Sequence, residues 1–270
     1  MSSVHGDDTL KAVLCSPSSD PKSPLQTPLM AAAATGVFEV FTTVLNEFDN
    51  LYSDGEDAIR DEDMRTQLKI QDNLGHTVAI HAARGGDVAL LGAVAEEIFK
   101  QKMPHALLVK DHKRKTLLHH AAGSGRAPVV DEVIRALRTA FGQGQHGKKK
   151  DRVDTVFDQL IAESANDMTL LMYAARSGDK MTFKAVVKWL NRLMTPVQLR
   201  ELISQRDADG LTFYMHAANS QGGTSRASGS SPDTTTDGGL ISSALADGQG
   251  QERGGETSTV TSTPRARTLR

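Results

Sequence analysis

Polar side chains recur at two positions of a phrase that the sequence repeats. They lie four and seven residues after the threonine that opens each copy of the phrase. The set comprises His81, His120, Tyr173 and His216 at the first position, and Arg84 and Arg176 at the second. Imidazole, phenol and guanidinium groups make directional hydrogen bonds, and Tyr and Arg are enriched among the residues that dominate protein interfaces. The row therefore predicts a stripe that binds a partner.

The same residues also admit a structural interpretation, in which they pack between neighbouring helices. The other copies place small or amide side chains in the row, with Ala31 and Ala34 in the first, Gly123 in the third and Asn219 in the fifth. Both interpretations stay open at the level of sequence. We carry the partner-binding stripe forward as the prediction.

Histidines on adjacent helices also raise the question of a metal site. Two imidazoles from His81, His119 and His120 could converge if their helices pack side by side. Zinc is usually held by four tetrahedral ligands, however, and no cysteine accompanies these residues. Because no third or fourth ligand has a suitable spacing, we predict no metal and no cofactor.

Signatures of catalysis are missing from the sequence. It contains no Gly-x-Ser-x-Gly elbow, no phosphate-binding loop and no kinase motif set, and its single cysteine, Cys15, stands in the N-terminal segment. Residues 142–147 match Gly-x-Gly-x-x-Gly, but lysines follow them and no strand precedes them, which predicts a flexible basic loop. We therefore predict that the protein is not an enzyme. Hydrolysis by the histidine row is the least favoured alternative, since it lacks a nucleophile.

The repeated phrase is ten residues long and indicates a short helix in each copy. It follows Thr-x-Leu-x-x-Ala-Ala-x-x-Gly or nearly so. The copies open at Thr27, Thr77, Thr116, Thr169 and Thr212, and the first four close at Gly36, Gly86, Gly125 and Gly178. The threonine hydroxyl can cap a helix, the paired alanines allow neighbouring helices to approach, and the glycine permits a left-handed residue at the helix end.

These phrases resemble the ankyrin repeat. The resemblance implies an all-α fold, an ankyrin-repeat solenoid of helix-turn-helix units, with the polar row on its concave face. It implies that His119 serves as the family's structural histidine and bonds the neighbouring turn. It also implies a protein partner in place of a substrate, so we predict a scaffold or adaptor. An alternative is the regulatory or targeting module of a larger signalling protein, such as a kinase or a channel, present here as a shortened paralogue.

The turn before each phrase follows a second pattern. Asp72 with Gly75, and Asp207 with Gly210, lie five and two residues before the threonine, whereas Asp111 keeps the aspartate without the glycine. The first and fourth copies lack the aspartate. The sequence therefore predicts the same turn in three copies and leaves the other two uncertain.

Between phrases the chain is longer than the ankyrin period of about 33 residues. The spacings are 50, 39, 53 and 43 residues. Apolar residues at helical intervals after each of the first four phrases predict a second, amphipathic helix. The additional residues predict long insertions that contain short helices at 61–68, 154–163 and 195–203, the last with Thr195 as its cap.

Composition divides the chain into three parts. Residues 1–23 are predicted to be a flexible leader, 24–219 the repeat domain and 220–270 a disordered tail, because the tail is rich in Gly, Ser and Thr and has no aromatic residue. A short apolar island at 240–245 could complete the fifth repeat.

Charge and hydropathy narrow the class of partner. The net charge is −2, with 31 basic and 33 acidic residues, so no basic excess favours nucleic acid. No apolar run approaches the roughly 20 residues that cross a bilayer, and no secretory signal is recognisable. We predict a monomer in the cytoplasm. Nuclear import through the lysines at 148–150 is a less favoured alternative.

Overall fold

The computed structural model describes residues 25–52, 55–142 and 150–222. Within these ranges it contains twelve α-helices, one 3-10 helix and no strand, which confirms the all-α prediction. The predicted leader at 1–23, the apolar island at 240–245 and most of the predicted tail and basic loop lie outside the described residues. None of the described helices is long and apolar enough to cross a membrane.

Each repeated phrase forms a short helix that begins directly after its threonine. The five are α1 (Pro28–Ala34), α4 (Val78–Gly85), α6 (Leu117–Gly123), α9 (Leu170–Arg176) and α12 (Phe213–Gly222). In the first four, the threonine hydroxyl accepts a hydrogen bond from the backbone N–H three residues later, as an N-cap should. The last helix continues to Gly222, three residues past the predicted boundary at 219.

A longer helix follows each of the first four phrases. These are α2 (Phe38–Asn50), α5 (Val88–Lys100), α7 (Ala127–Gly142) and α10 (Lys180–Leu193). Their predicted apolar faces are largely buried, as Leu90 and Ile134 illustrate. Val37, Val40, Val88 and Met181 are exposed, because they stand at the starts of these helices, where the side chains project to solvent.

The helices pack as two rows of neighbours. The phrase helices contact one another in the order α1, α4, α6, α9, α12, and the longer helices contact one another in the order α2, α5, α7, α10. Each of the first four phrase helices also contacts the longer helix that follows it. The first two copies approach closely at their glycines: an added Cβ at Gly36 would lie 2.7 Å from the carbonyl oxygen of Gly85 in the next copy.

Insertions between the copies form further helices, as predicted. They are α3 (Asp57–Lys69), α8 (Lys150–Ile161) and α11 (Pro196–Ser204), together with a 3-10 helix at Pro104–Leu108 that the sequence analysis did not identify. Helix α11 begins with a capping box, in which Thr195 and Gln198 bond each other's backbone N–H groups. Helices α8 and α11 pack on α7 and α10 respectively, which places them beside the row of longer helices.

The turn before the phrase recurs in four copies, including the fourth, where the sequence left it uncertain. At 72–76, 111–115, 164–168 and 207–211, the first residue donates its N–H to the carbonyl of the last. Ser164 takes the place of aspartate in the fourth copy, and its Oγ accepts from the N–H of Met168 at 3.3 Å. Successive turns are joined by backbone hydrogen bonds, from His112 to Leu74, Ala165 to Lys113 and Ala208 to Asn166.

One position of these turns is left-handed in every copy. It lies two residues before the threonine, and the residues there are Leu25, Gly75, Arg114, Asp167 and Gly210, with φ from 56° to 81°. Because L side chains are disfavoured in this region, the non-glycine copies must be held there by the surrounding hydrogen bonds. The glycine in the sequence pattern is therefore a preference of the turn and not a requirement.

Candidate functional site

Three histidines of the predicted stripe are buried and bind the aspartate of their own turn. The Nε2-to-Oδ2 distances are 2.9 Å for His81 and Asp72, 3.1 Å for His120 and Asp111, and 2.7 Å for His216 and Asp207. Each pair spans nine residues and ties the first turn of the phrase helix to the turn before it. The interpretation as packing residues therefore describes what these three side chains do inside the protein.

The second carboxylate oxygen of each aspartate holds the turn. Oδ1 of Asp111 accepts from the N–H groups of Lys113 and Lys115, both at 2.8 Å. Burial by itself raises the pKa of Asp72, but the N–H groups of His76 and Leu74 outweigh burial, so this pKa lies below its usual value. Asp72 is therefore an ionised structural group whose hydrogen bonds hold the turn.

His76 connects the second and third copies. Its Nδ1 lies 3.6 Å from Oδ2 of Asp72, and its Nε2 lies 3.6 Å from Oδ2 of Asp111 in the next turn. Its ring meets those of His81 and His120 edge-on, at centroid distances of 5.3 and 5.1 Å. Sequence reasoning missed His76, although a histidine directly before a helix-capping threonine was a visible signal.

Two overlapping groups in this region have the residue types of a metal site. They are Asp72, His76 and His81, and His76, Asp111 and His120, each with its ligand atoms within 4.8 Å of one another. The sequence analysis found no third ligand, and here it was wrong, because folding brings carboxylates from the turns to the helix histidines. The fit to a cation is poor all the same: the Arg84 guanidinium donates to Nδ1 of His76 at 3.0 Å. The pair at Asp207 and His216 also forms without a third ligand, so hydrogen bonding accounts for the arrangement.

Burial lowers the pKa of four histidines of the site and so favours their neutral form. It lowers the pKa of His119 to about 4 against a partial opposing effect of the Ala162 carbonyl, and the pKa of His120 to about 3 against that of Asp111. Burial also lowers the pKa of His76 and His81. Neutral imidazoles can each donate one hydrogen bond and accept one, which is what the pairs require.

His119 fills a structural position between two copies. Its Nδ1 accepts from the N–H of Thr116 at 3.1 Å, and the N–H of His119 in turn donates to the Thr116 hydroxyl. Its ring meets the ring of Tyr173 edge-on at 5.0 Å. His119 therefore contacts both the start of its own helix and Tyr173 of the next copy.

A cavity of about 370 Å³ opens beside this cluster, between three consecutive copies. Arg84 comes from α4, Gly123 and His120 from α6, Tyr173 and Arg176 from α9, and Lys115 from the turn before α6. Four of the six residues predicted for the stripe therefore lie around one cavity. His81 and His216 do not line it.

Access to the cavity differs among these side chains. The Arg84 and Arg176 residues are exposed, whereas Tyr173 is 8% exposed. Lys115 is half-buried and places its Nζ 5.0 Å from the centroid of the Tyr173 ring. Lys115 was missed in the sequence, and Gly123 was placed in the row but not predicted to contact a partner. The signal for Lys115 was its register, since it precedes Thr116 as His76 precedes Thr77.

The cavity also brings together the residue types of a hydrolytic triad. Asp111 binds His120, and Ser124 lies one turn further along the chain. The Ser124 hydroxyl, however, donates to the Ala121 carbonyl at 2.7 Å, and Ser177 does the same to Ala174 at 2.7 Å. Because neither hydroxyl is bonded to an imidazole, neither serine is activated as a nucleophile in this arrangement.

Comparisons with known proteins do not assign this chain to a family. No protein-family model matches it, and no curated protein matches it at the threshold of the search. Conclusions about function must therefore come from the repeats and the geometry of the cavity.

Proposed function

We propose that this chain is a non-enzymatic ankyrin-type scaffold that binds a segment of a partner protein at the cavity between α4, α6 and α9. Five copies of the phrase lie in one register, and their turns and helices contact in sequence, as the resemblance to ankyrin repeats implies. In such an array, neighbouring copies bury each other's faces and present side chains at regular intervals. Protein binding is the use to which that regularity is suited.

The observation that carries the proposal is the convergence of side chains from three copies. Arg84 and Arg176 are separated by more than ninety residues of sequence, and both line one cavity together with Tyr173. Tyr and Arg are the residue types most enriched among interface hot spots. The aspartate–histidine pairs behind them hold the backbone in place and leave the arginines to contact a partner.

Site-specific crosslinking tests the proposal. A photoreactive residue replaces Gly123 inside the cavity, and a control chain carries the same residue at Met181, which is 62% exposed at the start of α10. The partner captured from native lysate at Gly123 is then purified and titrated against variants. We expect Arg176→Ala and Tyr173→Ala each to weaken binding about tenfold, and Met181→Ala to leave it unchanged.

Either of two results would contradict the proposal. One is capture of the same proteins from both positions, which would indicate non-specific contact. The other is a captured partner whose affinity is unaffected by both cavity variants, which would move the interface elsewhere. Tyr173→Phe separates the roles of the ring and the hydroxyl, because it keeps the contact with His119 and removes only the oxygen.

A further inference from the structure

Three cationic side chains surround the cavity, and none of its lining residues is acidic. The cations are Arg84, Lys115 and Arg176. Asp111 binds His120, which lines the cavity, but Asp111 does not line it, and its carboxylate is committed to His120 and to its turn. The overall charge of the chain, −2, hides this local positive field, because acidic residues are concentrated elsewhere.

The charges of these cations are not compensated within the part of the protein that the structure describes. Arg176 has no ion pair there, and the contact of Lys115 is with the face of the Tyr173 ring. Arg84 donates to His76, but burial keeps that imidazole neutral, so the bond orients the guanidinium without cancelling its charge. Clustered cations that lack anionic partners repel one another, and an anionic ligand would relieve that repulsion.

Gly123 provides the space in which such an anion could lie. It occupies the same register position in the third copy that Arg84 occupies in the second and Arg176 in the fourth. A Cβ added at Gly123 would meet only the Tyr173 ring, at 3.9 Å, so the backbone does not require glycine for want of space. The absence of a side chain leaves an opening flanked by two arginines.

We propose that this cavity binds the phosphate group of a phosphorylated serine or threonine in the partner segment. The proposal rests on the proposed function and specifies its ligand. A phosphate monoester carries a charge of about −1.5 to −2 and three acceptor oxygens, whereas a carboxylate carries one charge and two oxygens. Two guanidinium groups and one ammonium group match the phosphate in charge and in number of donors.

The test measures the binding of three degenerate peptide pools to the full chain by fluorescence anisotropy. The pools share their flanking positions and carry phosphoserine, serine or glutamate at the centre. We expect the phosphoserine pool to bind at least about tenfold more tightly than the other two, because phosphate carries more charge and more acceptor oxygens than glutamate, and serine carries no charge. The double variant Arg84→Gln with Arg176→Gln should reduce phosphoserine binding to the level of the serine pool. Both residues are exposed, so the variant is expected to fold, which its circular dichroism confirms or denies.

A matched pair of variants at Gly123 separates charge from space. Gly123→Glu puts a carboxylate between the two arginines, and Gly123→Gln puts a neutral side chain of nearly the same size there. We expect the glutamate variant to lose at least about tenfold more affinity for the phosphoserine pool than the glutamine variant, since only the former competes for the cations. Equal losses would mean that volume alone controls the cavity and would overturn the phosphate assignment.

The remaining outcomes distinguish this proposal from the proposed function. Equal binding of all three pools, weakened by Tyr173→Ala, would overturn the phosphate assignment and leave protein binding intact. Binding of inorganic phosphate at the cavity without binding of any peptide pool would assign the site to a free anion. It would overturn the phosphorylated segment as the ligand. Binding of neither phosphate nor any pool would contradict both proposals.

Discussion

The third and fourth copies of the repeat differ at two positions: the first residue of the turn, and the residue four after the threonine that opens the phrase. In the third copy, one carboxylate oxygen of Asp111 accepts hydrogen bonds from the turn, and the other oxygen binds His120. In the fourth, Ser164 holds the turn with its single hydroxyl, and Tyr173 has no aspartate opposite it. The backbone of the two turns follows the same hydrogen-bond pattern.

This difference shows that the turn and the helix residue are separable. One oxygen acceptor is enough to shape the turn, so an aspartate is needed only where a histidine must also be held. Where serine replaces aspartate, the residue four after the threonine has no carboxylate to bind and need not be a histidine. Tyr173 then lies against His119 and lines the cavity, which is the part of the molecule for which we propose a binding role.

The strongest challenge to this comparison is removal of the aspartate in the third copy. Asp111→Ala leaves two partly buried turn N–H groups and the buried His120 imidazole without their acceptor, so we expect a loss of about 3 kcal/mol in the free energy of unfolding. Urea denaturation measures it. Asp111→Asn, which can still accept from the turn, should cost about 1 kcal/mol. A loss below 1 kcal/mol for Asp111→Ala would show that the pair is incidental.

The third copy should contribute a large part of the acid sensitivity, because burial lowers the pKa of two of its histidines. Burial lowers the pKa of His119 from its usual 6.5 to about 4, so the unfolded chain binds this proton first as the pH falls. The contribution of neutral His119 to the free energy of unfolding is complete above pH 6.5 and is lost progressively between pH 6.5 and 4. The loss between pH 6.5 and 5 amounts to about 2 kcal/mol. His120, with its pKa lowered to about 3, acts in the same direction.

Replacement of His119 by glutamine isolates this effect. Gln198 already serves at the equivalent position of the capping box that starts α11, so His119→Gln can keep the cap while it removes the titrating group. Between pH 7 and pH 5, the free energy of unfolding should fall by about 2 kcal/mol less in the variant than in the original chain, as denaturation at both pH values measures. An unchanged difference between the two pH values would place the acid sensitivity in other groups.

Loss of the serine in the fourth copy should have a milder effect. Ser164→Ala removes the acceptor for the N–H groups of Met168 and Asn166, at 3.3 and 3.4 Å, but breaks no aspartate–histidine pair, so we expect a loss of about 1 kcal/mol in the free energy of unfolding. The same denaturation experiment compares it directly with Asp111→Ala. If the serine variant costs as much as the aspartate variant, the histidine contributes nothing in the third copy, and the distinction between the two copies disappears.

The smallest expected effect concerns the left-handed residue of each turn. Arg114 in the third copy and Asp167 in the fourth have φ of 58° and 56°. Arg114→Gly should stabilise the fold by about 0.5 kcal/mol, because relief of the left-handed strain exceeds the entropy cost of glycine. Asp167→Gly should gain less, since aspartate tolerates this region better than arginine. A gain in the melting temperature for Asp167→Gly above that for Arg114→Gly would contradict this account.

Local signals predicted most of the secondary structure. Each threonine that opens a phrase precedes a helix, and the apolar periodicity after the first four phrases predicted the longer helices. Thr195 with Pro196 predicted α11 almost to the residue, because capping and proline preferences act within a few residues of the chain. The turn of the fourth copy escaped prediction, since a serine hydroxyl replaces a carboxylate in a role that only its hydrogen bonds reveal.

The site was less accessible to sequence reasoning. A row of like positions is visible in the sequence, but burial is not, so His81 and His216 could not be told apart from Arg84 and Arg176. His76 and Lys115 were overlooked because each acts in a cluster assembled from different copies. His76 joins Asp72 to Asp111, which is 35 residues further along the chain, and Lys115 contacts Tyr173, which is 58 residues away. Such separations lie beyond the range of any local pattern.

By itself, then, the sequence determined the repeat, its register and the all-helical class, because caps, alanine pairs and periodicity are properties of short segments. The tertiary structure decided which polar residues are committed to the interior and which surround the cavity. That decision depends on the packing of one copy against the next, since a carboxylate from a turn and an imidazole from a helix meet only when both are in place. Arg84 and Arg176 face a common space for the same reason: the glycine between them belongs to the intervening copy.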